Sequence, residues 1–526
     1  MSRMRPFVRP VIVVPLVVGT IGGAFIGGRW YEREQARGRD EWADARLLST
    51  AVDSVRANAL DSLPSDELIR RAVSGMLREL RDPYAALLRP DGFERYKGTL
   101  QGEGRGLGLV LRREPQGYRV VRVVPGSPAL AAGLRAGDRI LSADGVPVTG
   151  VSVTGDASRA ERYRDSSRLA ASHVALTLWR APYGDTVQVR VARAAWHVPA
   201  VSEHGLVADS VGYVRLSTIS AKSADELERS VDALLRRGAQ SLVLDLRGNA
   251  GGLFEEGVRV AGLFLPRQAI VSSLVGRGGT DTEPYRVRHS RWTALPLTVL
   301  VDARTASAAE VIAAALHDHG RALLVGTPTY GKGLVQRVVR LSRDISLRLT
   351  TARWLTPKGI SLERRSGTGA SARGGLVPDV LLDDATRRDA FALPDGWTTT
   401  QARIVLAAAD SVAMRALREG WVIRPVVELE TRLRDSLARA IPTSVRGVAA
   451  RAEWATVATR LATVRVLEVQ RETEALLRYS VREDAALRAG VDVVAPGTDV
   501  LPVPIPLPIP QLPRAGAATP PATPRP

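Results

Sequence analysis

Three stretches of the 526-residue sequence combine residue types that can do chemistry. Asp245-Leu246-Arg247-Gly248-Asn249-Ala250-Gly251-Gly252 reads as a strand end turning into a helix start. Successive backbone N–H groups at such a turn make a ready anion or oxyanion site. The stretch has neither the GxGxxG nor the Walker spacing, which argues against a nucleotide cradle. Arg304-Thr305-Ala306-Ser307-Ala308-Ala309-Glu310 again joins a strand to a helix, and its small residues leave Ser307 exposed as a nucleophile close to backbone donors. Serine is also a favoured helix N-cap, so taken alone this stretch leaves both readings open. The third is Gly331-Lys332-Gly333, with Gln336 four residues beyond the lysine on an otherwise apolar strand. Flanking glycines let Lys332 sit against another backbone, and burial would lower its pKa until it acts as a base. A solvated turn lysine is the alternative. Against it stands the chain's avoidance of lysine: of 73 basic residues only Lys97, Lys222, Lys332 and Lys358 are lysines.

The elements around these stretches alternate. Strands are expected at Val211 to Ser217, Ser241 to Leu246, Leu297 to Val301 and from Ala322, with helices at Ala224 to Arg237, Leu253 to Phe264 and Ala308 to His317. Long strands follow from Leu334 to Leu341 and Ile345 to Trp354. This alternation predicts an α/β core with parallel pairing. Before it, Asp40 to Tyr96 shows helical spacing of apolar residues and no chemistry, which fits a packing or oligomer-forming segment.

Between these parts, Gly102 to Val198 changes to short strands and glycine turns. The string Ser127-Pro128-Ala129, Ala132-Gly133-Leu134, Gly137-Asp138-Arg139-Ile140-Leu141 and Asp144-Gly145 resembles a PDZ domain. The resemblance implies a groove that adds a peptide strand to a sheet edge and holds its terminal carboxylate on backbone N–H groups of Leu107, Gly108 and Leu109. The Arg- and Ser-rich stretch from Gly150 to Ser172 departs from the pattern, so the groove-lining helix is hard to place.

The three chemical stretches together, with the 25-residue step from Ser307 to Lys332, resemble the carboxyl-terminal processing (tail-specific) peptidase family. Asp82-Pro83-Tyr84, Gly102 to Gly108 and Gly375-Leu376-Val377-Pro378-Asp379 extend the likeness over roughly Ala45 to Leu382. The resemblance implies a serine endopeptidase with a crotonase-like α/β core and an inserted, β-rich PDZ domain. It makes Ser307 the nucleophile, Lys332 its general base and Gln336 the residue that orients the lysine amine. Ala308 and Gly252 (or Gly251) would supply oxyanion N–H groups, and Asp318 a charge relay. Ala309 replaces a common second serine, Arg81 a usual leucine and Gly104 a usual aromatic; none of these touches the serine, lysine or glutamine.

Composition narrows the rest. The net charge of +18 is spread along a chain with 5% aromatic residues, which argues against nucleic acid. No cysteine is present, excluding thiolate nucleophiles, cysteine-ligated zinc and disulfides. The imidazoles of His317 and His319 diverge and find no third ligand cluster, so neither metal nor cofactor is expected. Arg3, Arg5 and Arg9 precede an uncharged run from Val11 to Gly28, which predicts a single membrane-spanning signal-anchor, or a cleaved signal peptide, with the bulk exported. After Asp384 helices are expected at Gln401 to Arg418, Val426 to Ala440 and in one long run from Ser444 to Ala489, then a proline-rich tail. The divisions are 1–39 export segment and linker, 40–101 helical, 102–198 PDZ, 199–384 peptidase core, 385–490 helical and 491–526 tail. Expected partners are C-terminal segments of protein substrates, an adaptor or second copy, and the membrane. The rival reading is a catalytically silent PDZ scaffold that holds exported or cell-wall partners; retention of Ser307, Lys332 and Gln336 argues against it.

Overall fold

The computed structural model describes residues 43–61, 63–114, 117–124, 126–148, 172–180, 185–279, 282–364, 374–382, 398–421, 425–441, 448–470 and 472–495. The chain forms two compact units, one up to Arg89 together with Val338–Leu349, the other comprising the remainder. In the first, a helix over 43–58 (α1) precedes α2 (Ser65–Glu79), whose Asp66 and Glu67 complement the helix dipole. Strand β1 (Ala86–Leu88) then lies antiparallel to Ser346–Arg348.

The second unit opens with α3 (Pro90–Gln101) and β2 (Glu103–Gly106). A five-stranded antiparallel path follows: β3 (Leu109–Glu114), β4 (Gly117–Val123), β5 (Arg139–Ala143), β7 (His173–Arg180) and β8 (Asp185–Ala192). The short helix α4 (Pro128–Ala131) and strand β6 (Val146–Pro147) complete this module. Its core gathers Leu134, from the turn after α4, with Val120, Ile140, Val174, Leu176, Leu178 and Val191, inward residues of the strands. Strand β9 (Ala194–His197) pairs with β2, so the chain's entry into the module and its exit run side by side. Of the Arg- and Ser-rich stretch from Gly150 to Ser172, all but Ser172 lies outside the described residues.

The core sheet runs β10 (Val201–Ala208), β11 (Val211–Leu216), β12 (Ser241–Asp245), β15 (Leu297–Val301), β16 (Leu323–Gly326), β19 (Val380–Leu381). All its pairs after the antiparallel β10–β11 are parallel. Side-chain alternation assigns its two faces. Leu242, Leu244, Val299, Val301 and Leu324 meet α5 (Ser223–Arg236), α6 (Phe254–Gly262) and α7 (Ala308–Asp318). Val243, Leu300 and Val325 face the opposite way and are covered by α11 (Thr473–Glu483) and α12 (Ala485–Val494). Burial on both faces explains why β12 and β15 are uninterrupted buried runs. Strands β13 (Ile270–Val275) and β14 (Thr282–Arg286) pair with each other, and β13 also pairs with the end of β18 (Ser346–Leu355), which follows β17 (Leu334–Arg340).

The C-terminal helices α8 (Thr399–Arg418), α9 (Val426–Ala440) and α10 (Val448–Val469) share a core with Val405, Val412, Leu433, Leu437, Trp454 and Leu461. They also grip the antiparallel module. Asp410 of α8 receives Arg119 from β4, Arg139 from β5 at 3.1 Å, and Arg465 from α10. The long helix expected from Ser444 to Ala489 is instead three, α10 to α12. Asp484 caps α12 through the N–H groups of Ala486 and Leu487 and ends α11 in extended backbone.

One expectation is overturned. Among the described residues no helix is long and apolar enough to cross a membrane. The two of sufficient length, α8 and α10, carry several charges each and bury against one another. The run from Val11 to Gly28 lies outside the described residues, and the reading of a membrane-anchored, exported protein is dropped.

Candidate active site

The three chemical stretches converge at the ends of β12, β15 and β16. Asp302, just past β15, accepts the N–H groups of Gly248, Arg304 and Thr305 on one carboxylate oxygen, at 2.9, 2.9 and 3.0 Å. Thr305 donates its hydroxyl to the Leu246 carbonyl, and the Ala306 N–H donates to the Asn249 carbonyl at 2.9 Å. The serine loop is thereby pinned to the glycine turn. Glycine is required at 251: a Cβ there would lie 2.7 Å from the Ala306 carbonyl oxygen and 2.9 Å from both the Ala308 nitrogen and the Ser307 Cβ.

Ser307 takes the N-cap position of α7, but with φ 56° and ψ −123° rather than the extended backbone usual for a cap. Left-handed φ at a non-glycine residue costs about 1–3 kcal/mol and survives only where the surroundings impose it. Here they do. The buried Glu310 carboxylate reaches back from the first turn of α7 and accepts the Ser307 N–H at 2.8 Å. The same oxygen accepts the Lys332 N–H at 2.9 Å, which keeps the two amide nitrogens within about 6 Å of one another. The other oxygen takes the Thr329 hydroxyl at 2.6 Å and the Gly331 N–H at 2.7 Å. One carboxylate thus ties the serine loop to the lysine loop.

Both glycines beside Lys332 are needed for close approach. A Cβ on Gly331 would meet the Gly375 nitrogen at 2.7 Å, and one on Gly333 the Glu363 nitrogen at 2.8 Å. Trp354, 1% exposed, donates its indole N–H to the Lys332 carbonyl at 2.9 Å and fixes the loop from below. Lys332 is half-buried; so is Gln336 on β17, whose amide nitrogen is fully enclosed without a hydrogen-bond acceptor among the described residues. Of the two glycine N–H groups considered as oxyanion donors, that of Gly251 is used by the Asn249 side chain at 2.9 Å. Those of Gly252 and Ala308 make no hydrogen bond among the described residues.

Asp318 is not brought to this cluster. It ends α7, so roughly 16 Å of helix separates it from Ser307. There it accepts the Lys358 N–H at 3.1 Å and faces His317. Burial pulls its carboxyl upward, yet His317, Thr356 and Lys358 outweigh burial and hold it below the usual range. His317 lies between Asp318, 3.6 Å from its Nδ1, and Asp379, 3.2 Å from its Nε2; the two carboxylates, Asp318 foremost, push its pKa up to about 9 against burial. His319 faces the Ile270 carbonyl. Both histidines are thus structural crosslinks.

In the antiparallel module, Gly108 has φ 76° and packs directly on Ser127, where a Cβ would clash at 2.1 Å. The N–H groups of Leu107 and Gly108 make no hydrogen bond among the described residues. Leu109 opens β3, which among the described residues pairs only with β4 and so forms an edge of its sheet.

Several residues that organise the site escaped sequence reasoning. Glu310 had a signal, because Ser307-x-x-Glu310 is the spacing of a capping box. Asp245 and Arg247, below the glycine turn, are paired at 2.6 Å; burial raises the Asp245 carboxyl, but Arg247 and Arg215 hold it below its ordinary value. Arg247 also binds Asp484 at 2.7 Å, joining the turn to the C-terminal helices. Glu363 had no signal.

This geometry coincides with the regions matched in known proteins. Residues 210–381 match the model of Peptidase family S41, and residues 119–162 that of the PDZ domain. A carboxyl-terminal-processing protease of Picosynechococcus sp. is 38% identical over 319 residues, covering 59% of this chain and 72% of that protein. The carboxy-terminal processing protease CtpA of Bacillus subtilis is 29% identical over 313 residues, covering 59% and 65%. Among solved structures, a photosystem II D1 C-terminal processing protease shares 32% identity over 64% of this chain and 88% of its own, with a TM-score of 0.38. With the matched residues spanning the glycine turn, the serine loop and the lysine loop, the chain belongs to the carboxyl-terminal-processing proteases of peptidase family S41, serine-type peptidases, and carries a PDZ domain.

Proposed function

We propose that the protein is an endopeptidase that recognises the free C-terminal end of protein substrates and cleaves them through an acyl-enzyme on Ser307, with Lys332 as general base. Neutral Lys332 takes the Ser307 proton as the oxygen attacks the scissile carbonyl carbon. The negative oxygen that develops is received by the N–H groups of Gly252 and Ala308. The Lys332 ammonium then protonates the leaving amine, and water attacks the ester with Lys332 again as base. Gln336 orients the lysine amine. Asp318 is left out, because it stands at the far end of α7. The sheet covered by helices on both faces is compatible with the crotonase-like core that the family resemblance implies.

The observation that carries this reading is the Glu310 carboxylate, which holds the Ser307 and Lys332 main chains together while Ser307 is kept in a left-handed conformation. Substrate recognition rests on the Leu107-Gly108-Leu109 turn and the open edge of β3, where a peptide strand adds by backbone bonds and its carboxylate meets the Leu107 and Gly108 N–H groups. The test uses one unstructured peptide with a free, an amidated or an Asp-Asp terminus. Faster cleavage of the free, apolar-ended peptide is expected; equal rates on all three remove the C-terminal recognition.

A further inference from the structure

Three consecutive backbone N–H groups of the lysine loop are held by two carboxylates. Glu310 takes those of Gly331 and Lys332, and Glu363 takes that of Gly333 at 2.6 Å. The two acids differ in kind. Glu310 is fully buried and its oxygens are shared among four donors, so its charge is largely spent on the loop. Glu363 is half-buried, belongs to a segment that also donates the Arg364 N–H to the Gly331 carbonyl, and receives only the Gly333 bond among the described hydrogen bonds.

We propose that Glu363 is a positioning residue for Lys332: it locks the Gly333 end of the lysine loop, and its negative charge sets the pH at which Lys332 becomes a base. The inference rests on the serine–lysine reading above. Among the described residues, the charged groups that act most strongly on Glu363 are Glu310 from α7, Lys332 from its loop and Arg353 from β18. Burial first, and then the Glu310 charge, push the Glu363 carboxyl above the usual range, against the Gly333 N–H, Arg353 and Lys332. A carboxylate beside a lysine favours the ammonium form. Glu363 therefore raises the pH needed to free the base, and Arg353 opposes it. The loop is held rigidly by an acid whose charge restrains catalysis on the acid side.

The substitution Glu363→Gln separates the two roles, because its amide oxygen still accepts the Gly333 N–H while the charge is gone. The experiment follows kcat/KM against pH for the full chain on an unstructured, free-ended peptide. The acid limb of Glu363→Gln should move to lower pH by about half a unit to one unit. Arg353→Gln, at an exposed position, should move it to higher pH. Glu363→Ala should move it as Gln does and also lower the plateau several-fold, because the Gly333 N–H loses this acceptor. A limb in Glu363→Gln that stays at the wild-type pH or rises overturns the proposal. Activity that survives Lys332→Ala overturns instead the serine–lysine reading beneath it.

Discussion

Replacing Glu310 by glutamine keeps the side chain's shape and removes half of its accepting capacity. Each carboxylate oxygen serves two donors: Ser307 and Lys332 N–H on one, the Thr329 hydroxyl and Gly331 N–H on the other. The amide group should face Thr329, whose hydroxyl can rotate to accept, since the opposite orientation would set an NH2 against two backbone N–H groups. Two bonds then survive but lose charge assistance, at about 1 kcal/mol each, and the buried Gly331 N–H meets another donor at a cost of about 1–3 kcal/mol. The sum is a destabilisation of about 3–5 kcal/mol. The displaced Gly331 moves Lys332 relative to Ser307, and a misplacement of about 1 Å costs roughly 10²-fold in rate. Urea unfolding followed by circular dichroism measures the first quantity, and kcat/KM on an unstructured peptide, in conditions where the variant is folded, measures the second. Destabilisation below about 0.5 kcal/mol together with near wild-type kcat/KM would refute the assignment of Glu310 as the tie between the two loops.

Three other outcomes follow from the same contacts. Gly251→Ala, with its Cβ driven against the Ala306 carbonyl and the Ser307 Cβ, should lower kcat/KM by roughly 10²-fold while circular dichroism remains native-like; unchanged kinetics would remove the packing of the glycine turn on the serine. His317, its pKa raised from 6.5 to about 9, contributes stability that is complete below about pH 6.5 and is lost as pH rises through 9; the stability gap between wild type and His317→Gln should shrink by about 2–3 kcal/mol between pH 6 and pH 10, and a pH-independent gap contradicts the bridge to Asp318 and Asp379. Asp410→Ala removes the carboxylate shared by Arg119, Arg139 and Arg465, two of them almost wholly buried, and should cost about 3–5 kcal/mol in denaturant unfolding; a cost below about 1 kcal/mol makes that junction incidental.

The core was legible because its signals are local. Largely apolar, wholly buried runs such as Leu297–Val301 belong to strands covered on both faces, and glycines flank Lys332 because two other backbone segments approach it there. What stayed hidden depends on contacts distant in sequence. No glycine or proline separates α10, α11 and α12, so nothing local marks the break at Asp484, whose carboxylate is fixed by Arg247, 237 residues away. The burial of the second face of the core sheet by α11 and α12 is equally invisible in a pattern that reads only as an amphipathic stripe. Glu363 announces itself through no motif, since its partner is a backbone N–H thirty residues earlier. Asp318 shows the reverse error: a spacing matched to a family role falls at the far end of α7, where the carboxylate braces Lys358 and His317.

The central claim is that Lys332 acts by giving and taking a proton for Ser307. Measuring residual kcat/KM of Lys332→Arg beside Ser307→Ala tests it most directly, because arginine keeps the positive charge but does not deprotonate at accessible pH. Both variants should fall by roughly 10⁴-fold or more, to the same residual level, while remaining folded. An arginine variant that retains a substantial part of the wild-type rate would show that a fixed cation suffices at this position, and would contradict the general-base account.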